Sequence, residues 1–169
     1  MNFHTGPTTV YIDSSFIDRI ADPRKGSAAT HRERNISKTW WESYNRRADL
    51  VTSPFTFAEA IERYGNARIV RLRHRYFSHI REVRAARKYL NPLAAALLKP
   101  DGPIPADEIL DAQHIATAAI TGCPYLLTWN CRHIANAFNR EFVDNIIRRY
   151  GYKPLILGNP EEFLAAPPF

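Results

Sequence analysis

Apolar and polar positions alternate along the chain between two kinds of pattern. Short runs of β-branched and aromatic residues, which are typical of buried strands, occur at residues 9–13, 50–53, 124–129 and 155–157. Segments with apolar residues three and four apart separate these runs and predict amphipathic helices. Strands that alternate with helices favour an α/β fold around a largely parallel sheet, because parallel strands need crossover connections.

Capping residues, Gly and Pro indicate where the helices begin and end. Pro54 suits the first turn of a helix that ends at Gly65 or Asn66, and Asp107 suits the cap of a helix that ends at Gly122. Further helices are predicted at residues 16–20, 28–47, 68–90, 93–98 and 142–150, with a loop at 22–27 and an end or bend at 91–92.

The chain length allows one substantial hydrophobic core, at 169 residues and 19.4 kDa, so we expect a single domain over residues 1–169. Hydrophobic residues make up 45% and charged residues 24%, the composition of a folded globular protein. No apolar stretch approaches the roughly 20 residues of a membrane helix, and residues 1–7 lack the plan of a signal peptide. We therefore expect a cytoplasmic protein with no membrane segment.

Cys123 and Cys131 are too few for a disulfide scaffold. Cys131 and His133 form one Cys-x-His pair, but no second pair stands at the spacing that zinc requires. We therefore interpret both cysteines as small buried side chains rather than as redox or zinc residues.

The predicted helix over residues 68–90 is strongly basic, in a chain of formal charge +6 and pI near 9.5. It carries eight basic side chains against one acid, Glu82. Tyr76, Phe77 and Tyr89 lie among them and offer stacking faces for single-stranded bases. A solvated helix face is the alternative explanation, but the excess of one sign favours contact with nucleic acid.

Three carboxylates and one amide stand where strands end or helices begin. Asp13 ends the first strand, Glu59 lies in the helix after the second, Asp111 lies early in the helix before the third, and Asn130 follows the third. In an open α/β sheet these places meet at the carboxyl edge of the strands. Three acids gathered there would repel one another without a cation, and oxygen ligands favour Mg²⁺ or Mn²⁺. The pattern indicates a metal-dependent nuclease.

Each of these residues also has an ordinary structural explanation. Asp13 precedes a helix and could serve only as its N-cap. Asp111 falls on the helix stripe that faces the sheet, where it could pair with Arg132 or His114 instead of a metal. His114 and His133 could act in acid–base chemistry, although structural histidines are more frequent.

Glu59 competes with Glu62 for the second acidic position, and it could face solvent and pair with Arg63 four residues on. Asn130 could offer an amide oxygen to a cation, orient a water molecule or only shape a turn. The recurrence of polar groups at one kind of place favours the chemical interpretation, since the joint pattern is less probable by chance than any single member.

With these residues in place, the sequence resembles the PIN-domain family, in particular the VapC-like toxins of bacterial and archaeal toxin–antitoxin pairs. The resemblance covers most of the chain, and its most specific parts are residues 111–118 and 127–136. The other matching segments are residues 10–15, 52–59 and 159–164.

The resemblance implies a three-layer α/β/α fold, a central mostly parallel sheet flanked by helices, and an Mg²⁺- or Mn²⁺-dependent endoribonuclease. It implies metal ligands at Asp13 and Asp111, Glu59 in the second acidic position, and a catalytic set completed by Asn130. Many relatives have aspartate where this chain has Asn130, so this chain carries one negative charge fewer at that position. The resemblance also implies an RNA substrate, a homodimer and a cognate antitoxin.

Two rival functions remain from the sequence. A catalytically silent module that binds RNA or a protein partner would keep the fold and lack competent metal chemistry, and Asn130 is its best argument. A phosphatase or small-molecule hydrolase on a similar sheet is disfavoured, because the chain has neither a characteristic nucleophile motif nor a Gly-rich phosphate loop.

Overall fold

A five-stranded parallel sheet forms the centre of the protein. The computed structural model describes residues 7–21, 27–62 and 66–166, and the sheet order within them is β3-β2-β1-β4-β5. The strands are β1 (Thr9–Ile12), β2 (Asp49–Thr52), β3 (Arg81–Glu82), β4 (Tyr125–Leu127) and β5 (Ile156–Gly158). Every neighbouring pair runs in parallel, so the sheet is entirely rather than mostly parallel.

Eight helices connect and cover these strands in the part of the chain that the structure describes. They are α1 (Ser14–Ala21), α2 (Ala28–Tyr44), α3 (Pro54–Glu62), α4 (Ala67–Phe77), α5 (Arg87–Leu97), α6 (Ile109–Ile120), α7 (Arg140–Arg149) and α8 (Pro160–Ala165). None of these described helices is both long and apolar enough to cross a membrane.

The two faces of the sheet bury two separate hydrophobic clusters, because successive strand side chains point to opposite faces. Tyr11 faces a cluster that includes residues of α5, α6 and α7. Val10 and Ile12 face a second cluster with residues of α1, α2, α3 and α8. The result is a three-layer α/β/α arrangement, which confirms the predicted fold class.

The single basic helix predicted over residues 68–90 is wrong. Helix α4 ends at Phe77, β3 pairs with β2, and α5 then begins at Arg87 and continues through Pro92. The two residues of β3 are exposed and charged, so hydrophobic periodicity gives no sign of this edge strand. Its position is set by pairing with β2, including a bond from Val83 N to Thr52 O at 2.8 Å.

Several smaller predictions also need correction. Helix α6 begins at Ile109, so its N-cap is Glu108 rather than Asp107, and no side chain caps it. Asn66 does not end α3 but caps α4 by accepting from the amides of Arg68 and Ile69. The alternative end at Gly65, and most of the predicted loop at 22–27, lie outside the described residues.

Only one of the two cysteines is buried as predicted. Cys123 is enclosed in the cluster beneath α6, whereas Cys131 is exposed in the turn after β4.

All strands point the same way, so the residues that follow them share one edge of the sheet. Asp13, Ser53, Val83, Thr128 and Asn159 follow β1, β2, β3, β4 and β5 respectively. Since ligands of open parallel sheets bind outside the carboxyl ends of the strands, this edge is where a site is expected.

Candidate active site at the carboxyl edge of the sheet

Asp13 is a buried carboxylate, 2% exposed, directly after the central strand β1. One of its oxygens, Oδ1, accepts hydrogen bonds from Ser15 Oγ at 2.7 Å and from the amide of Phe16 at 3.3 Å. The other, Oδ2, accepts from Thr128 Oγ1 at 2.7 Å. The bond from Phe16 is a helix cap, so the capping role predicted as an alternative is present. The bond from Thr128 goes beyond capping, because it ties β1 to the residue after β4.

Burial raises the pKa of Asp13 above its ordinary value. The electrostatic interaction with His114 and the hydrogen bonds from Thr128, Ser15 and Phe16 lower the pKa of Asp13, but burial is the larger influence. An ionised Asp13 is therefore costly in the protein alone. A bound cation would offset that cost, because it favours the charged form of a nearby carboxyl group.

Asp111 lies in the first turn of α6 and is 9% exposed. Its Oδ2 accepts from Asn130 Nδ2 at 2.8 Å and lies 2.9 Å from His133 Nδ1. Asn130 Oδ1 accepts in turn from the amide of His133 at 3.1 Å. Asn130 is thus held between the helix and the turn after β4, and its amide is fixed toward Asp111.

Asp13 and Asp111 are linked through two intervening residues. Thr128 Oγ1 donates to Asp13 Oδ2 at 2.7 Å and accepts from the amide of Asn130 at 2.8 Å. Asn130 then donates to Asp111 at 2.8 Å. The structure therefore brings together Asp13, Asp111 and Asn130, although Asp13 lies far from the other two in the sequence.

Glu59, on α3, approaches the same edge from the other side of Asp13. Its Oε2 accepts from Ser14 Oγ at 2.7 Å and lies 3.5 Å from His114 Nε2. The Glu59 side chain is 13% exposed, so it does not face solvent as the alternative explanation required. The neighbour of Ser14 is Asp13, so Glu59 contacts the residue next to the central carboxylate.

A buried polar network holds His114 behind Glu59. Tyr11 Oη donates to Ser53 Oγ at 2.8 Å and lies 3.0 Å from His114 Nδ1 and 3.1 Å from Thr56 Oγ1. With the phenol proton given to Ser53, the Tyr11 oxygen can accept from His114 Nδ1, and His114 Nε2 lies toward Glu59. Burial raises the pKa of Tyr11, so the phenol stays protonated.

We predict that Tyr11→Phe destabilises the protein by about 1–3 kcal/mol, because it leaves buried hydroxyl and imidazole groups without their partner. The measurement is the free energy of unfolding in urea. Tyr150→Phe is the matched control, since Tyr150 is 43% exposed at the end of α7. An equal loss in both variants would show that the buried network does not hold this part of the site.

Two side chains near Asp111 are not predicted from the sequence as part of the site. Glu108 has no predicted role, yet its Oε1 lies 3.5 Å from His133 Nδ1. A structural role is favoured for His133, which contacts Asp111 directly. Glu108 and Asp111 are three positions apart, the spacing of one helix face, which is the signal that could have found Glu108. The bridging hydroxyl of Thr128 leaves no comparable signal.

Glu108, Asp111 and His133 form a group that could hold a divalent cation. One ligand atom from each lies within 4.8 Å of the others, and Glu108 has the most exposed side chain of the three. The donor set is two carboxylates and one imidazole nitrogen. Carboxylate oxygens suit Mg²⁺ and Mn²⁺, and an imidazole is a ligand that transition metals accept.

The five-stranded parallel sheet with helices on both faces is a PIN-like three-layer α/β/α fold. The structure is similar to that of VapC20 of Mycobacterium tuberculosis, a Sarcin-Ricin loop cleaving toxin, with a TM-score of 0.55. The match covers 76% of this chain and 95% of that chain at 17% sequence identity, so it confirms the expected VapC-like fold. No protein-family model and no curated protein matches the sequence.

Proposed function

We propose that this protein is a divalent-metal-dependent endoribonuclease, and that it acts in the cytoplasm as the toxin of a type II toxin–antitoxin pair. The observation that carries the proposal is the linked pair of buried carboxylates, Asp13 and Asp111, at the carboxyl edge of a VapC-like sheet. A carboxylate is costly to bury unless something compensates its charge. Two such groups joined through one threonine and one asparagine suit a cation.

Asp13, Asp111 and Glu59 would hold the cation, and Glu108 and His133 are placed to complete the ligand set around Asp111. Mg²⁺ or Mn²⁺ would neutralise charge that develops on the phosphoryl oxygens and lower the pKa of a water molecule.

The remaining side chains of the site fix the positions of these acids. Thr128 and Ser15 fix the two oxygens of Asp13, and Ser14 fixes Glu59. Asn130 orients Asp111 through its amide, so the acids keep their arrangement before substrate arrives.

The proposed partners are an RNA substrate, a cognate antitoxin and a second copy of this chain. Phe138, in the turn before α7, is 90% exposed, and Phe142, in the first turn of α7, is 62% exposed. Large apolar side chains exposed together are more typical of interfaces than of free surface, and this favours a protein partner on the α7 side.

A silent binding module is the second candidate, and Asn130 is the observation that favours it. Asn130 Nδ2 already donates a hydrogen bond to Asp111 Oδ2 at 2.8 Å, and the Asn130 side chain carries no negative charge. A site with one acid fewer binds cations less tightly, so RNA binding without cleavage is the expected behaviour of this alternative.

Purified protein and a labelled single-stranded RNA separate the two candidates. We expect endonucleolytic cleavage that increases with Mn²⁺ or Mg²⁺ and stops in EDTA. The fragments are compared with those from a DNA of the same sequence, which should remain intact. RNA binding with no metal-dependent cleavage at any Mn²⁺ concentration would contradict the proposal and favour the silent module.

A further inference from the structure

The fold divides the basic run of residues 68–88 into groups with different surroundings. Arg73 is buried on α4, where it pairs with Asp18 and contacts the carbonyl of Ala60. Arg81 pairs with Asp49 on the neighbouring strand β2. The protein itself compensates these two arginines, so they are poor candidates for contact with a nucleic acid.

A second group of basic residues follows β3. We call Arg84, Arg87, Lys88 and Tyr89 the basic rim. The chain leaves the sheet after Glu82, beside the end of β2, where Val83 donates its amide to the carbonyl of Thr52. The basic rim begins at the following residue. All strands are parallel, so the basic rim lies on the same edge of the sheet as the acidic residues after β1 and β4.

Packing on both sides of the basic rim turns its side chains toward solvent. Val83 and Ala85 pack against the cluster under α5, and Arg84 between them is exposed. Leu90 and Leu93 anchor α5 in the same cluster. The first turn of that helix, with the rest of the basic rim, remains outside the core.

The basic rim keeps an excess of positive charge beside the acidic site. Arg84 pairs with Glu82 at 2.7 Å, but both side chains are largely exposed, and solvent weakens such a pair. The first turn of α5 contains no acid and has no side-chain cap, although the helix dipole disfavours cations there. Helix α5 packs against α6, whose first turn carries Asp111.

An aromatic ring stands within this charged surface. Tyr89 is 49% exposed, and Lys88 Nζ lies 4.8 Å from the centre of its ring. An exposed ring beside cations can stack on an unpaired base while the cations contact neighbouring phosphates. A duplex hides the faces of its bases, so this combination suits a single strand.

We propose that the basic rim binds single-stranded RNA, with Arg84, Arg87 and Lys88 on the phosphates and Tyr89 stacked on a base. The strand then runs from the β3 edge of the sheet toward the acids after β1 and β4. The inference rests on the proposed function for the identity of the acidic site, but binding at the basic rim does not require cleavage.

The test compares two triple variants that remove the same charge from opposite edges of the sheet. The rim variant is Arg84→Gln, Arg87→Gln and Lys88→Gln. The control is Arg148→Gln, Arg149→Gln and Lys153→Gln, which are exposed residues between the end of α7 and β5, at the amino edge. Both are made in the full chain carrying Asp13→Asn and are measured in EDTA with a fluorescent single-stranded RNA.

We expect the rim variant to bind RNA at least about ten-fold more weakly at 0.1 M salt. The slope of log affinity against log salt concentration should fall by about two, since each phosphate contact on a single strand contributes about 0.7. The control should keep most of the parent affinity and slope. Equal losses in the two variants would overturn the inference, because they would reflect net charge alone.

Single substitutions at Tyr89 test the stacking contact. Tyr89→Leu should weaken binding roughly ten-fold, whereas Tyr89→Phe should preserve it, because stacking needs the ring and not the hydroxyl group. Tighter binding of duplex than of single-stranded RNA, or equal binding by Tyr89→Leu, would overturn the single-strand assignment.

The two proposals can fail independently. If the protein cleaves no RNA but the rim variant loses RNA binding, the basic rim is upheld and the nuclease is rejected. If the protein cleaves RNA and the rim substitutions do not change the cleavage, the nuclease is upheld and the basic rim is rejected.

Discussion

Asp13→Asn is expected to reduce RNA cleavage by about 10³-fold or more, which corresponds to about 4 kcal/mol in the activation barrier. The substitution removes the negative charge of the central carboxylate but keeps its shape. The oxygen of the new amide can still accept from Ser15 and Phe16, and its nitrogen would face Thr128. The Thr128 hydroxyl has two lone pairs and can accept from that nitrogen, so the variant should fold.

The measurement is the initial rate of cleavage of a labelled single-stranded RNA at saturating Mn²⁺. Asp101→Asn is the matched control, since it makes the same charge change at an exposed loop residue before α6. The control should keep the parent rate. Full activity in Asp13→Asn would remove the central residue from the proposed site.

Stability provides a second readout of the same substitution. Burial raises the pKa of Asp13 in the folded protein, so folding favours the protonated carboxyl group. The stability contributed by that proton is present below the unfolded pKa, near 3.8, and is lost as pH rises through the folded pKa. In EDTA at pH 7.5, Asp13→Asn should therefore be at least as stable as the parent, with an advantage that shrinks toward pH 4. A variant that is less stable at every pH would show that the loss of activity has a structural cause.

The acidic edge could be predicted from the sequence because its residues are placed by the positions at which the parallel strands end. Runs of buried residues before Asp13 and before Asn130 mark β1 and β4, and parallel strands bring their ends to one edge. Asp111 follows from the same logic, since α6 leads into β4. Hydrophobic patterning therefore sufficed for the residues that are placed by the main chain.

The residues that escaped prediction depend on contacts that leave no periodic signal. Strand β3 consists of Arg81 and Glu82, both exposed, and it is recognised only by its pairing with β2. His133 reaches Asp111 because the turn after β4 folds back on itself, with the amides of Ile134 and Ala135 bonded to the carbonyl of one residue, Asn130. Tertiary contacts of this kind override local propensity. They place both β3 and His133, which is why neither position could be predicted from the sequence.

Asn130→Asp should lower the stability of the metal-free protein and increase its response to Mn²⁺. Asn130 Nδ2 donates to Asp111 Oδ2 at 2.8 Å, so the substitution replaces a hydrogen bond with two carboxylates in contact. The lost bond and the repulsion should cost about 1–3 kcal/mol in EDTA. A cation between the two carboxylates would offset that repulsion, so the affinity for Mn²⁺ should rise about ten-fold or more.

Thermal unfolding in EDTA and in saturating Mn²⁺ measures both effects, because a ligand that binds the folded state raises Tm with its concentration relative to Kd. We expect a lower Tm than the parent in EDTA and a larger upward shift with Mn²⁺. Asn145→Asp, an exposed residue of α7, makes the same change of charge away from the site and should show neither effect. If Asn130→Asp responds to Mn²⁺ no more than the control does, the Asp111 side of the edge does not bind the cation, and the silent module becomes the better account of this chain.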